Sequence, residues 1–150
     1  MLFHGHVLLG ILAFLLTKDL FSGGNQLIFF CLVLLGALLP DIDEPNSKIN
    51  KWSGIIGRIT GKLFKHRGFL HSILFFTILF LIIKYYFSVY YAYAIIVGYT
   101  AHVVGDGISL MGLNLFYPLK FKIKGPMKVG GKFEMVLTIL LYFLIIKQLF

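Results

Sequence analysis

Five apolar runs, roughly residues 7–21, 25–39, 69–87, 88–104 and 133–149, dominate this 150-residue chain, and its ionisable residues respect their ends. His4 and His6 precede the first run, and Asp41, Asp43 and Glu44 follow the second. His66 and His71 open the third, His102 and Asp106 close the fourth, and Glu134 opens the fifth. If each run crosses a bilayer once, successive crossings alternate in direction, and every one of those positions falls on the same side. Structural polar residues scattered along a chain have no reason to keep that parity. A single site does.

The hydrophobic fraction of 59%, the charged fraction of 13% and the mean hydropathy of +0.90 lie far outside the range of soluble domains. The individual runs are short: Leu27 to Leu39 gives 13 unbroken apolar residues, where a span normally needs about 20. Each run lengthens to span size when extended through the polar cluster at its end. Ionisable groups are tolerated there when they face protein or water rather than lipid. The expected fold is therefore all-α, a polytopic transmembrane bundle of about five helices in one domain over residues 1–150, with polar ends converging on one face. No basic segment precedes the first run and no cleavage site follows it, so a cleaved signal peptide is not expected. Cys31, the single cysteine, reads as a small packing residue.

The formal net charge of +8 would suit nucleic acid, but its placement suits a membrane. Six basic residues (Lys48, Lys51, Arg58, Lys62, Lys65, Arg67) fill the loop after the second run, and five (Lys120, Lys122, Lys124, Lys128, Lys132) the loop after the fourth. That is 11 of 14 on the His/Asp side. Positive charge marks the cytoplasmic side, so the site is expected to face the cytoplasm from the inner membrane, with the N-terminus inside. The same cations favour anionic headgroups. Trp52, Ile55, Ile56, Ile59 and Leu63 recur near helical spacing in the first basic loop. That piece is either a membrane-surface helix or a packed loop helix. Tyr85, Tyr86, Tyr90, Tyr91 and Tyr93 mark the outer turn, as interfacial aromatics do. The second loop, 107–132, is rich in Gly and Pro and reads as irregular.

The polar clusters carry the chemistry. Leu39-Pro40-Asp41-Ile42-Asp43 brings two carboxylates to a helix end; oxygen donors of this kind suit hard or borderline divalent cations. His66 and His71 flank Arg67, whose planar fork matches phosphate or carboxylate. His102 and Asp106, at i and i+4, share a helix face. They either bind one ion together or let the carboxylate orient the imidazole. One of His4 and His6 points inward. Glu134 is a ligand, a general base or a partner for Lys132. This N/O inventory lacks thiolate, so the structural zinc cage of the Cys type is excluded. Its size implies one ion with a second shell, or two to three ions. Such centres favour hydrolysis, above all phosphoryl transfer, because divalent ions supply hydroxide at neutral pH and clamp the leaving oxygen.

The strings LPDIDEPNS (39–47), HRGFLHS (66–72), GYTAHVVGD (98–106) and GGKFE (130–134), with GH at 5–6, resemble the YdjM-like family of predicted membrane-bound, metal-dependent hydrolases. The resemblance spans nearly the whole chain. It implies metal-dependent hydrolysis at the inner membrane face, with His6, Asp41, Asp43, His66, His71, His102, Asp106 and Glu134 as the matching polar positions. A fainter similarity, in HxxxD and the His/Asp/Glu inventory, points to zinc-dependent phospholipase C and P1 nuclease.

The expected activity is a phosphoesterase on a lipid or lipid-linked, phosphate-bearing substrate, using zinc (or manganese). Asp43 or Glu134 would serve as base, Arg67 would hold the phosphate, and nucleic acid is not expected as a partner. Two other classes fit the same residues. A metal or proton transporter predicts polar residues continuing to the outer side, and a metal-stabilised scaffold predicts bound metal without turnover.

Overall fold

Among the residues described by the computed structural model, 1–64 and 67–150, the chain is all-helical. Helices α1 (Phe3–Thr17) and α2 (Gln26–Leu38) form a hairpin. A 3-10 turn, Leu39–Asp43, leads into two short helices, α3 (Lys48–Trp52) and α4 (Ile55–Leu63). A second 3-10 turn, Phe69–His71, opens α5 (Ile73–Tyr86), followed by α6 (Val89–Gly107) and α7 (Lys132–Leu149). The five expected runs thus appear as α1, α2, α5, α6 and α7. One helix, α2 continued through its 3-10 turn over Gln26–Asp43, is long and apolar enough to cross a membrane by itself; Phe3–Thr17 and Ile73–Tyr86 are apolar but shorter.

Helix starts follow side-chain caps. Asn25 Oδ1 accepts from the amides of Leu27 and Ile28, and Ser47, Ser72 and Ser88 each accept from the amide three residues on. Each cap satisfies amides that the first helical turn leaves without a partner. Helix α1 carries no side-chain cap and begins earlier than its apolar run, at Phe3, which puts His6 in its first turns. Helix α2 ends at Leu38, but the helical path does not stop at Pro40. Proline lacks only an amide that the start of the 3-10 turn does not use, so the chain tightens there instead of breaking.

Helix α6 is the centre of the bundle, with α1, α2 and α5 packed on it and α7 packed on α1. The α2–α6 contact is a backbone contact. A Cβ on Gly98 would collide with the Val33 carbonyl, and one on Gly36 with the Ile95 carbonyl. Small residues permit this approach, as they do between helices in membranes. Two apolar cores follow. Phe29, Val33, Tyr90 and Ala94 fill the end away from the loops, and Leu8, Leu15, Met127, Leu141 and Ile145 lock α7 to α1.

The tyrosine cluster divides accordingly: Tyr90 is buried against Phe29, while Tyr85 and Tyr86 are exposed. Cys31 is exposed on α2, not packed as expected, because the α2 face that packs carries Phe29, Val33, Gly36 and Ala37. The outer surface of α7 bears Phe133, Met135, Val136, Ile139, Leu140 and Phe143, all exposed. An apolar surface of that extent marks contact with another apolar phase.

Candidate metal centre

The close α2–α6 seam sets the geometry of the polar end. It brings the Ala37 carbonyl to 2.7 Å from His102 Nδ1. A carbonyl only accepts, so Nδ1 carries the proton and the Nε2 lone pair points into the site. Asp106, one turn on, lies on the same face, with Oδ2 4.0 Å from His102 Nε2. From α1, the His6 ring stacks on His102 with centroids 3.9 Å apart and planes at 11°. Its Nε2 is 3.4 Å from Asp106 Oδ1 and 3.9 Å from Asp41 Oδ2. Asp41 Oδ1 is in turn 3.8 Å from His102 Nε2. One ligand atom from each of His6, Asp41, His102 and Asp106 lies within 4.8 Å of the others.

The 3-10 turn explains why Asp41 and Asp43 do different things. At three residues per turn, side chains two apart diverge by about 120°. Asp41 turns toward His6 and His102, whereas Asp43 Oδ2 lies 3.5 Å from His71 Nδ1. The two carboxylates therefore do not converge on one point. Asp43 stands beside His71 Nδ1 and not beside the quartet. His71 Nε2 then faces the quartet, 3.2 Å from His102 Nε2 and 3.8 Å from Asp106 Oδ2.

This donor set fits a divalent cation on two observations. His102, with its proton on Nδ1, turns its Nε2 lone pair toward His71 Nε2 at 3.2 Å. That contact is repulsive unless a cation or a proton is shared between them. His6 is fully buried, and neither of its ring nitrogens makes a hydrogen bond among the described residues. Leaving such a group unsatisfied costs about 1–3 kcal/mol, which a cation would offset. Imidazole and carboxylate donors together suit zinc and its neighbours.

Two expected roles change. The fork of Arg67 is directed not at an open phosphate site but at Asp106, with Nη2 at 3.0 Å from Oδ1 and 2.9 Å from Oδ2. Its Nη1 donates to Ser109 Oγ (2.8 Å) and the Gly112 carbonyl (3.1 Å). A guanidinium fork matches carboxylate as well as phosphate, and Asp106 is the nearer anion. Arg67 does this from a left-handed backbone, φ 61°, which costs a side-chain-bearing residue energy and persists only where contacts hold it. Glu134 also stays out of the quartet. Its Oε1 accepts from the Leu2 amide (2.6 Å) and its Oε2 from the Gly130 amide (2.7 Å), so it ties α7, α1 and the loop together. The expected ligand or base is a clamp on backbone.

Of the other expected positions, His4 is exposed and His6 buried, which resolves that pair. His66 lies outside the described residues. The sequence reading missed the supports. Tyr99 Oη donates to the Leu70 carbonyl (2.6 Å) and so pins the His71 turn. Asn50 Nδ2 and Thr60 Oγ1 donate to the Ile42 carbonyl (2.6 and 2.9 Å), and Ser47 Oγ to that of Asp41 (2.7 Å). Ser109 Oγ donates to the Asp106 carbonyl at 2.8 Å. The Met1 amino group donates to Asp106 Oδ1 at 2.5 Å.

A family model described as YdjM inner membrane protein matches residues 1–149. Among curated proteins, the uncharacterized protein YvsG of Bacillus subtilis is 32% identical over 100 residues, 65% of this chain and 62% of its own length. The inner membrane protein YdjM of Escherichia coli is 30% identical over 107 residues, 66% of this chain and 54% of its own. The same figures hold for that of Shigella flexneri. The matches thus span less than two thirds of these relatives' length. No solved structure matches.

Proposed function

The chain belongs to the YdjM inner membrane protein family, and from that premise we propose that it is a polytopic metal-dependent hydrolase of the inner membrane. Its reaction is phosphoester hydrolysis on a lipid or lipid-linked substrate at the cytoplasmic face. The observation that carries the reading is His6, buried with neither ring nitrogen hydrogen-bonded among the described residues, beside two carboxylates and a histidine with an inward lone pair.

His6, Asp41, His102 and Asp106 would hold the ion, zinc or manganese, with His71 as a further donor. When bound, such an ion activates water and neutralises charge on a phosphoryl oxygen. The residues around it have separate tasks. Ala37 fixes the His102 tautomer, and Asp43 lies beside His71. Arg67 and Ser109 hold Asp106 in place. Asp41 is the partly exposed member of the quartet, with 14% of its side chain accessible. Water and substrate would reach the site on the Asp41 side. The one-sided basic loops support the cytoplasmic orientation.

A second reading, a metal-stabilised scaffold, draws on Arg67: its fork is engaged by Asp106, Ser109 and Gly112 instead of being presented to a phosphate. A transporter is less well supported, since the far end of the bundle is packed with Phe29, Val33 and Ala94.

Metal analysis of the purified protein, with turnover on a panel of phospholipids and lipid-linked phosphoesters, tests these readings. The hydrolase reading expects stoichiometric zinc or manganese, turnover abolished by chelation, and loss of metal in His102→Ala. Metal without turnover on any substrate turns the reading to the scaffold. A metal-free protein removes both.

A further inference from the structure

Helix α4 presents three chemically distinct faces. Gly57 and Gly61 pack toward Asn50 and the Asp41–Asp43 turn, where a Cβ on Gly57 would collide with the Asn50 carbonyl. Ile55, Ile56, Ile59 and Leu63 recur at helical spacing on a second face and, with Trp52 of α3, are between 51% and 73% exposed. Arg58 and Lys62, one turn apart, flank that apolar stripe, and with Lys51 they line a groove of about 510 Å³ floored by Asn50 and Gly57. The packed-helix alternative for this segment would bury the isoleucines, and they are not buried.

From this arrangement we infer that the α3–α4 hairpin docks on the bilayer interface. Trp52 and the isoleucine face enter the acyl boundary, and the Lys51/Arg58/Lys62 groove takes the phosphate of an anionic phospholipid. An apolar stripe flanked by cations is what an in-plane interfacial helix requires, because the cations then sit at headgroup level as the stripe is buried. Charge complementarity selects the occupant: among the described residues, Lys51, Arg58 and Lys62 line this groove and no carboxylate does. The hairpin also grips the site, since Asn50 and Thr60 hold the Ile42 carbonyl between Asp41 and Asp43. A headgroup in the groove is thus one hydrogen bond from the backbone that aims both carboxylates. The inference uses the chain's place in a membrane family and stands apart from the metal reading.

Trp52 is the single tryptophan, so its fluorescence reports on this hairpin alone. The 150-residue chain is reconstituted in phosphatidylcholine vesicles carrying brominated phosphatidylcholine or brominated phosphatidylglycerol. Both brominated lipids should quench Trp52, the anionic one more strongly. Each of Lys51→Gln, Arg58→Gln and Lys62→Gln should reduce the anionic preference roughly fivefold, with quenching by the neutral lipid retained. Trp52 quenched by aqueous iodide and by neither lipid overturns the docking. An anionic preference that survives the triple variant overturns the groove. Metal content of the same samples separates either failure from failure of the hydrolase reading.

Discussion

Two buried polar clusters share one end of the bundle and are built on opposite terms. Around Glu134, each carboxylate oxygen has a backbone amide within 2.7 Å. Around His6, carboxylate oxygens of Asp106 and Asp41 lie 3.4 and 3.9 Å from Nε2, and no hydrogen bond is formed among the described residues. Both residues are buried. A satisfied buried carboxylate needs nothing more than the fold to explain it. An imidazole buried without a hydrogen bond lowers stability unless a cation or its neighbouring carboxylates offset the cost. Polar residues that look equivalent in the sequence thus separate into clamps and candidate ligands.

The strongest way to break that distinction is Asp106→Ala, since Asp106 serves both purposes. It leaves the Arg67 guanidinium buried without its carboxylate and removes a ligand, so about 3–5 kcal/mol of stability and the bound metal should go together. Thermal unfolding in detergent and metal analysis read the two losses, and a variant keeping either would show that Asp106 has one role only. Next is Gly98→Val, which forces α6 off the Val33 carbonyl. The expected cost is about 1–3 kcal/mol of overpacking, with weakened metal retention as Ala37 withdraws from His102.

Glu134→Gln should cost about 1–2 kcal/mol and leave metal stoichiometry unchanged; metal loss would return Glu134 to the ligand set. His6→Leu sharpens the contrast by sign. In chelated protein it removes an unsatisfied group and should raise stability by about 1 kcal/mol, while in metal-replete protein it should lower it. The smallest effect belongs to His4→Ala, within about 0.5 kcal/mol and with metal retained, which separates the neighbouring histidines.

The helices were legible because apolar length and polar interruption are local properties. The convergence of His6, Asp41, His102 and Asp106 was legible through parity, which needs only the number of crossings. Two things were not. Asp41 and Asp43 divide their work because the chain continues past Pro40 as a 3-10 turn, a geometry that the string Leu39-Pro40-Asp41-Ile42-Asp43 does not specify by itself. Arg67 and Glu134 were assigned to substrate chemistry because the sequence shows their charge but not their partners, Asp106 and the amides of Leu2 and Gly130. Gly36 and Gly98 interrupt apolar runs, a sign of close backbone approach, but only the fold shows that each meets the other's helix and so places Ala37 on His102.

The lengths of the helices carry a further consequence. At 1.5 Å per residue, the 15 residues of α1 and the 14 of α5 reach about 22 and 21 Å, against a hydrocarbon core of about 30 Å. In the proposed bundle, lipid beside these two helices must thin to meet them. Hydrophobic mismatch of that size draws such a protein toward thinner bilayers. Acyl-chain length then becomes a variable that tunes how deep the His/Asp end sits.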